Sequence, residues 1–290
     1  MNTHYRPLLL LAAGLLATAL SPSVARAAQS YDNCTGFIKT LPATISLQGT
    51  WCLSEDVSTA IATGAAITVA TNNVTLDCND FKIGGLAAGP ATKAVGVLAQ
   101  EKLNVTVRRC NIRGFLYGVR LRNGTGGNVV EDNSFSGNTA RAISVEGDGT
   151  VVRRNLVRDT GGSTASSWQG SAAGIATYGD VDVIDNIVSQ VAALPNESGN
   201  ASATGIHALL ATSGSISHNR VRGLVSVGMG MARGIDVIGE DPQVILRGND
   251  ITGPGTYGLQ CTGARSRAMD NIVVGFSTPL ADCRDDGNSL

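Results

Sequence analysis

From about residue 70 to the C-terminus, apolar and polar positions alternate in short runs that never settle into a helical stripe. Val129-Val130-Glu131-Asp132-Asn133 returns 22 positions later as Val151-Val152-Arg153-Arg154-Asn155. With the asparagine as anchor, the pattern apolar-x-x-Asn-x-apolar occurs eight times. The anchors are Asn79, Cys110 (in the asparagine's place), Asn133, Asn155, Asn186, Asn219, Asn249 and Asn271. Three positions before them stand Leu76, Val107, Val130, Val152, Val183, Ile216, Leu246 and Ala268. Two positions after them stand Phe81, Ile112, Phe135, Val157, Val188, Val221, Ile251 and Val273.

Each unit continues into a second run that opens with Gly or Ala and a large aliphatic residue, as in Gly118-Val119, Ala142-Ile143, Gly205-Ile206 and Gly234-Ile235. Alternating apolar positions such as Ile143/Val145 and Ile235/Val237 have the two-residue period of a strand. Short strands, glycine-rich turns and a repeat of 22 to 33 residues describe a solenoid in which each unit is one coil. Equivalent residues of successive coils then stack about 4.8 Å apart. A turn asparagine adopts left-handed angles readily and bonds neighbouring main chain, so its column reads as scaffold rather than ligand site. Asp77, Arg108, Glu131 and Arg153 fall two positions before their anchors and alternate in sign, which predicts a solvated cross-coil charge ladder.

The runs VTVRRCNIRGFLYGVRL and VDVIDNIVSQ…TGIHALL resemble the right-handed parallel β-helix family, with its carbohydrate-binding and sugar-hydrolase type repeats and its pectate-lyase-like superfold. The resemblance covers roughly residues 70–283. It implies an all-β, single-stranded right-handed parallel β-helix of about eight coils. It is specific for fold and says little of activity, because one scaffold carries many chemistries. The paired-aspartate, Gly-His-Gly and Arg-x-Lys signatures of polygalacturonase-like hydrolases are absent, as is the Asp, Arg and Lys cluster of calcium-dependent pectate lyases.

The first residues read differently. Arg6, the apolar stretch 8–20 and the small-x-small site Ala25-Arg26-Ala27 have the layout of a signal peptide over residues 1–27, too short in its apolar part to span a bilayer. Residues 28–70 are expected to form an N-terminal cap with the first strands, and residues 71–290 the β-helix. The protein is thus expected to be exported, to a periplasm or the cell exterior. Without Arg6 and Arg26, the 22 basic residues fall to 20 against 23 acidic ones, a net charge of −3 that argues against nucleic acid as partner. Glycine at 36 of 290 positions with 4% aromatics suits many tight turns and few large core side chains.

Six cysteines in an exported chain allow three disulfides. Cys261 and Cys283 each lie 12 residues past an anchor on adjacent coils, close enough to pair. Cys78–Cys110 also join adjacent coils, one column out of line, and Cys34–Cys52 follow by elimination.

Extra residues in a solenoid gather in loops on one side. Here residues 156–173, 187–204 and 220–233 form three neighbouring long loops, and Trp168 in the first of them is a candidate platform for a sugar ring. The outward column that begins the second strand reads Leu98, Arg120, Ser144, Ala176, His207, Asp236 and Gln260. His207 and Asp236 on adjacent coils form a candidate proton-transfer pair, with Tyr178 nearby and Arg120 as a candidate substrate contact. His218 with Asp185 fits a structural ladder alongside Arg154 and Asp132 better than a site. All four lysines lie in the first third of the chain, so none serves as a base near those loops. Scattered carboxylates and three histidines offer no metal site, and no cofactor motif occurs. The resulting expectation is an exported protein that binds or processes a polysaccharide in a groove below the long loops. The alternative is a non-enzymatic structural or surface protein whose loops bind another protein.

Overall fold

A computed structural model describes residues 33–123, 126–165, 170–195, 197 and 199–290. Residues 1–27, expected to be a signal peptide, and Trp168 therefore lie outside the described residues. The regular elements of the described residues are all strands apart from a single 3-10 turn at Leu86–Ala88. No described helix is long and apolar enough to cross a membrane.

The strands stack in three parallel ladders. The first sheet has eleven strands, from Gly36–Ile38 and Gly49–Leu53, through Val129–Glu131 and Thr150–Arg153, to Arg284–Asp286. The second includes Lys82–Gly84, Asn111–Arg113, Ser134–Ser136, Leu156–Gly161, Ile187–Ala192 and Arg220–Val225. The third includes Val95–Gln100, Tyr117–Arg122, Arg141–Glu146, Ala172–Tyr178, Ala203–Leu209 and Ala232–Ile238. The strands Asp250–Cys261 and Ile272–Ala281 are long enough to run through both the second and the third sheet. Strands near the N-terminus already join the stack: Gly36–Ile38 pairs with Gly49–Leu53, and Ala43–Ile45 with Ala65–Val69.

Alternation within each strand sends one set of side chains inward, and stacking turns each inward position into a column. Val107, Val130, Val152, Val183 and Leu246 are wholly buried in one column, and Val119, Ile143, Ile175, Ile206 and Ile235 in another. Full burial of each such side chain is worth roughly 1.5–3 kcal/mol. The glycines opening the third-sheet strands answer to a close approach. A Cβ at Gly205 would stand 2.3 Å from Val221 Cγ1 and 2.6 Å from the Gly234 carbonyl oxygen.

The anchors form the continuous column that the repeat implies. The Asn155 amide donates to Asn186 Oδ1 at 3.0 Å, and its side-chain Nδ2 donates to the same oxygen at 2.9 Å and to the Val130 carbonyl at 2.9 Å. Asn186, Asn219, Asn249 and Asn271 repeat the arrangement, and Cys110 enters it by donating its amide to Asn133. Three details depart from the sequence reading. From the second unit on, the left-handed residue is not the anchor but the one before it: Arg109, Asp132, Arg154, Asp185, His218, Gly248 and Asp270 all have φ between 51° and 62°. The column also continues past Asn271 to Asn288, whose Oδ1 accepts the Asn271 amide. In the first unit Ile83, not Phe81, pairs with Ile112, because Asn79 and Asp80 both turn left-handed and lengthen that corner.

The alternating charges pair as expected, with Arg108 Nε 2.9 Å from Asp77 Oδ2 and Arg153 Nη2 2.7 Å from Glu131 Oε2. Asp77 itself is buried rather than solvated. Despite that burial, Arg109, the Asn79 amide and Arg108 hold its carboxyl below the ordinary range. Arg154 bonds Asp132 as the ladder reading implies. All three disulfides form as expected: Cys34–Cys52, Cys78–Cys110 and Cys261–Cys283, with Cα separations of 5.9, 4.7 and 5.1 Å.

Candidate functional site

The outward face of the third sheet gathers most of the sequence's candidate chemistry. Its register aligns Leu98, Arg120, Ser144, Ala176, His207, Asp236 and Gln260 in one column. Three positions earlier runs a second column, Tyr117, Arg141, Ala173, Thr204, Arg233 and Tyr257. Strand alternation accounts for the outward aim, since Val119, Leu121, Ile206 and Ala208 on either side point into the core.

Tyr117, Arg120, Arg122, Arg141, Ser144, Glu146 and Tyr178 line a cavity of about 230 Å³ on this face. An adjoining hollow of about 380 Å³ shares Glu146 and Tyr178 and extends over Gly147, Asp148, Gly179 and Leu210. Arg141 Nη1 donates to the Tyr178 hydroxyl at 2.5 Å and its guanidinium lies 5.7 Å from that ring. The Arg120 guanidinium lies 4.5 Å from the Tyr117 ring centroid. Burial holds Arg120 below the ordinary arginine value, and the neighbouring Arg122 and Arg141 add to the effect. Two cation–aromatic pairs facing one cavity suit a ligand that carries both anionic groups and apolar ring faces.

Two coils further on, His207 Nε2 stands 3.5 Å from Asp236 Oδ2, yet it makes no hydrogen bond and is shut off from solvent. Burial pushes the imidazole down to about 4, with Arg141 and Arg233 contributing repulsion. Burial pushes the Asp236 carboxyl up, against the pull of Arg233, whose Nε is 3.6 Å away and donates to Gln260 Oε1 at 2.7 Å. The pair is thus an uncharged imidazole with a free nitrogen beside a carboxylate held against its burial. Perturbed neighbours of this kind concentrate at functional sites.

Of the residues singled out from sequence, Arg120 and Tyr178 share the cavity, while His207 and Asp236 form their pair on the same sheet but outside its lining. His218 and Asp185 follow paired positions on adjacent strands, and no side-chain hydrogen bond or ion pair joins them. Arg141, Arg233, Tyr117 and Glu146 escaped the sequence reading. The signal was present: Arg141 and Arg233 each directly precede the Ala-Ile or Gly-Ile pair that opens a third-sheet strand.

The loops between the second and third sheets stack on one another. Ser202 N donates to Ser171 Oγ, Met231 N to Ser202 Oγ, and Ala201 forms an antiparallel bridge with Val227. They adjoin the column containing Arg141 and Arg233, whereas the larger hollow opens toward the opposite turns at Gly147 and Gly179. Among the described residues no group of three or more His, Cys, Asp or Glu side chains is placed to hold a metal ion.

The model of the right-handed beta helix region matches residues 52–190. The chain folds as a right-handed parallel β-helix. Pectate lyase Pel9A shares this fold at 10% identity and a TM-score of 0.52, over 88% of this chain and 69% of that one. The DFA-IIIase of Arthrobacter chlorophenolicus A6 is 12% identical, with a TM-score of 0.49 over 81% of this chain. A tailspike of E. coli bacteriophage HK620, in complex with a pentasaccharide, is 11% identical, with a TM-score of 0.41 over 87% of this chain. The β-helix spans 64% of the length of that DFA-IIIase and 54% of that tailspike. No curated protein matches the sequence.

Proposed function

We propose that this exported β-helix protein binds an acidic polysaccharide on the outward face of its third sheet. The observation that carries the reading is the cavity where Arg120 and Arg141 sit against Tyr117 and Tyr178, with Arg233 on the same column as Arg141. Guanidinium groups meet carboxylates in fixed geometry, and aromatic rings offer an apolar face to sugar rings. Three disulfides suit an oxidising compartment outside the cytosol. The shared fold with a pectate lyase supplies only the scaffold; the ligand class rests on these side chains.

A second reading, cleavage of the bound chain, is favoured by one observation, the free Nε2 of His207 beside Asp236. An uncharged imidazole accepts a proton, and the adjacent carboxylate stabilises the imidazolium that forms. Trp168 belongs to the same proposal as a sugar platform.

The test takes the disulfide-bonded protein against acidic and neutral polysaccharides, reading retention, reducing ends and unsaturated-uronate absorbance together. Retention of acidic chains that is lost in Arg141→Ser supports binding at this face. Cleavage that disappears in His207→Ala adds the enzymatic role. Neither retention nor cleavage on either class defeats the proposal and leaves the non-enzymatic structural or surface role.

A further inference from the structure

The second sheet has an outward column of its own, away from the cavity. Its register aligns Arg113, Ser136, Arg158, Ser189, Arg222 and Thr252, an arginine alternating with a hydroxyl on successive strands. Among the described arginines, Arg113, Arg158 and Arg222 are the three whose guanidinium groups have no hydrogen bond, ion pair or ring contact, and all three are exposed. Elsewhere the chain pairs its arginines: Arg108 with Asp77, Arg153 with Glu131, Arg154 with Asp132, Arg267 with Asp286. That every unpaired guanidinium among the described residues falls in one column is not what a generally solvated surface produces.

Neighbouring strands lie about 4.8 Å apart, so the three arginines are attached at intervals of about 9.6 Å along a straight line. Exposed Leu156 and Ile187 pair in the neighbouring column, two positions before Arg158 and Ser189 on their strands. At the N-terminal end, Ser58, Thr59, Lys82 and Arg113 border a hollow of about 220 Å³. Asp159 is the acidic side chain next to Arg158 on this strand, and it makes no ion pair.

We propose that this stripe binds an extended anionic glycan whose acidic groups recur on alternate sugars. Charge spacing selects the partner. Duplex DNA carries a charge about every 1.7 Å along its axis, far denser than the stripe. An extended acidic peptide repeats its same-side groups about every 6.7 Å, out of step with it. A glycan acidic on alternate sugars offers widely spaced charges, with intervening hydroxyls for Ser136 and Ser189 and apolar ring faces for Leu156 and Ile187. The stripe is separate from the third-sheet face and does not depend on the function proposed for that face.

Hyaluronan, with its carboxylate on alternate sugars, is the probe, beside duplex DNA and neutral dextran at the same ionic strength. Binding is measured for the wild-type protein, Arg141→Ser and the triple variant Arg113→Ser/Arg158→Ser/Arg222→Ser. Each exposed contact is expected to contribute about threefold, so the triple variant binds hyaluronan roughly 30-fold more weakly. Its salt dependence falls by about three released counterions. Hyaluronan affinity that falls in Arg141→Ser and not in the triple variant belongs to the third-sheet cavity and overturns the stripe, whereas affinity that falls only in the triple variant supports the stripe whatever the cavity binds, so the two proposals fail separately. Equal hyaluronan binding by the triple variant and wild type overturns the stripe, as does wild-type preference for DNA or absence of hyaluronan binding. Unchanged circular dichroism and melting confirm that the exposed substitutions leave the fold intact.

Discussion

The asparagine column and the outward row of the third sheet are built by the same stacking, yet they treat polar groups in opposite ways. In the asparagine column each buried side chain is fully engaged: Asn186 accepts from the Asn155 amide and Nδ2 and donates to the Val152 and Ile184 carbonyls and to Asn219. In the outward row His207 keeps a buried nitrogen without a partner, and Asp236 holds a carboxyl whose charge its burial opposes. Saturated buried networks stabilise and rigidify, whereas half-satisfied ones destabilise. The proposed role of the third-sheet face would account for a row that keeps an unpaired buried nitrogen where the asparagine column keeps none.

The comparison breaks most readily at Asn186. Asn186→Ala strips acceptors from two donors of Asn155 and leaves two carbonyls unmet, which should destabilise the fold by about 4 kcal/mol in urea unfolding. A loss below about 1 kcal/mol would mean that the column is decoration rather than scaffold.

His207 is expected to act in the opposite sense. Its folded value, about 4, lies below the unfolded value of 6.5, so as pH falls the unfolded chain takes up the proton first. Stability therefore declines as pH drops from 6.5 toward 4, by up to roughly 3 kcal/mol for this one group. His207→Gln should remove that part of the acid sensitivity, seen by comparing urea midpoints near neutrality and near the lower end of the window. An unchanged pH profile would show that the imidazole is not desolvated.

Asp236→Asn sharpens the contrast at smaller scale. The folded carboxyl is raised, so its contribution favours folding below the ordinary carboxylate range and is lost as pH rises through the folded value. At neutral pH the variant should be as stable as wild type or more stable by about 1 kcal/mol. The smallest effect belongs to the solvated pairs: Arg153→Ala should change stability by no more than about 1 kcal/mol, less in high salt.

Much of this was legible in the sequence, for a physical reason. A solenoid repeats one coil, so a spacing error of one residue would turn a whole strand inside out, and eight aligned units leave a single register. That is why the Arg120-to-Gln260 column and the two disulfides within the repeats could be written down from spacing, which left Cys34–Cys52 by elimination. What spacing could not give is how side chains bend across columns. Arg141 reaches Tyr178 one coil on and at the far end of the strand, drawing two unaligned residues into one cavity. The extended corner at Asn79 and Asp80, which puts Ile83 where Phe81 was expected, depends on two consecutive left-handed residues that no local motif announces. Asp77 looked like one more surface charge because the second arginine closing over it, Arg109, belongs to the next coil.

The most direct test of the account is one double variant, His207→Gln/Asp236→Asn, measured for unfolding free energy at neutral pH and for acidic-polysaccharide binding and cleavage. The account predicts stability equal to or above wild type, with binding weakened or cleavage abolished. A less stable protein whose binding and cleavage match wild type would contradict it, and would make the His207–Asp236 pair one more element of the scaffold.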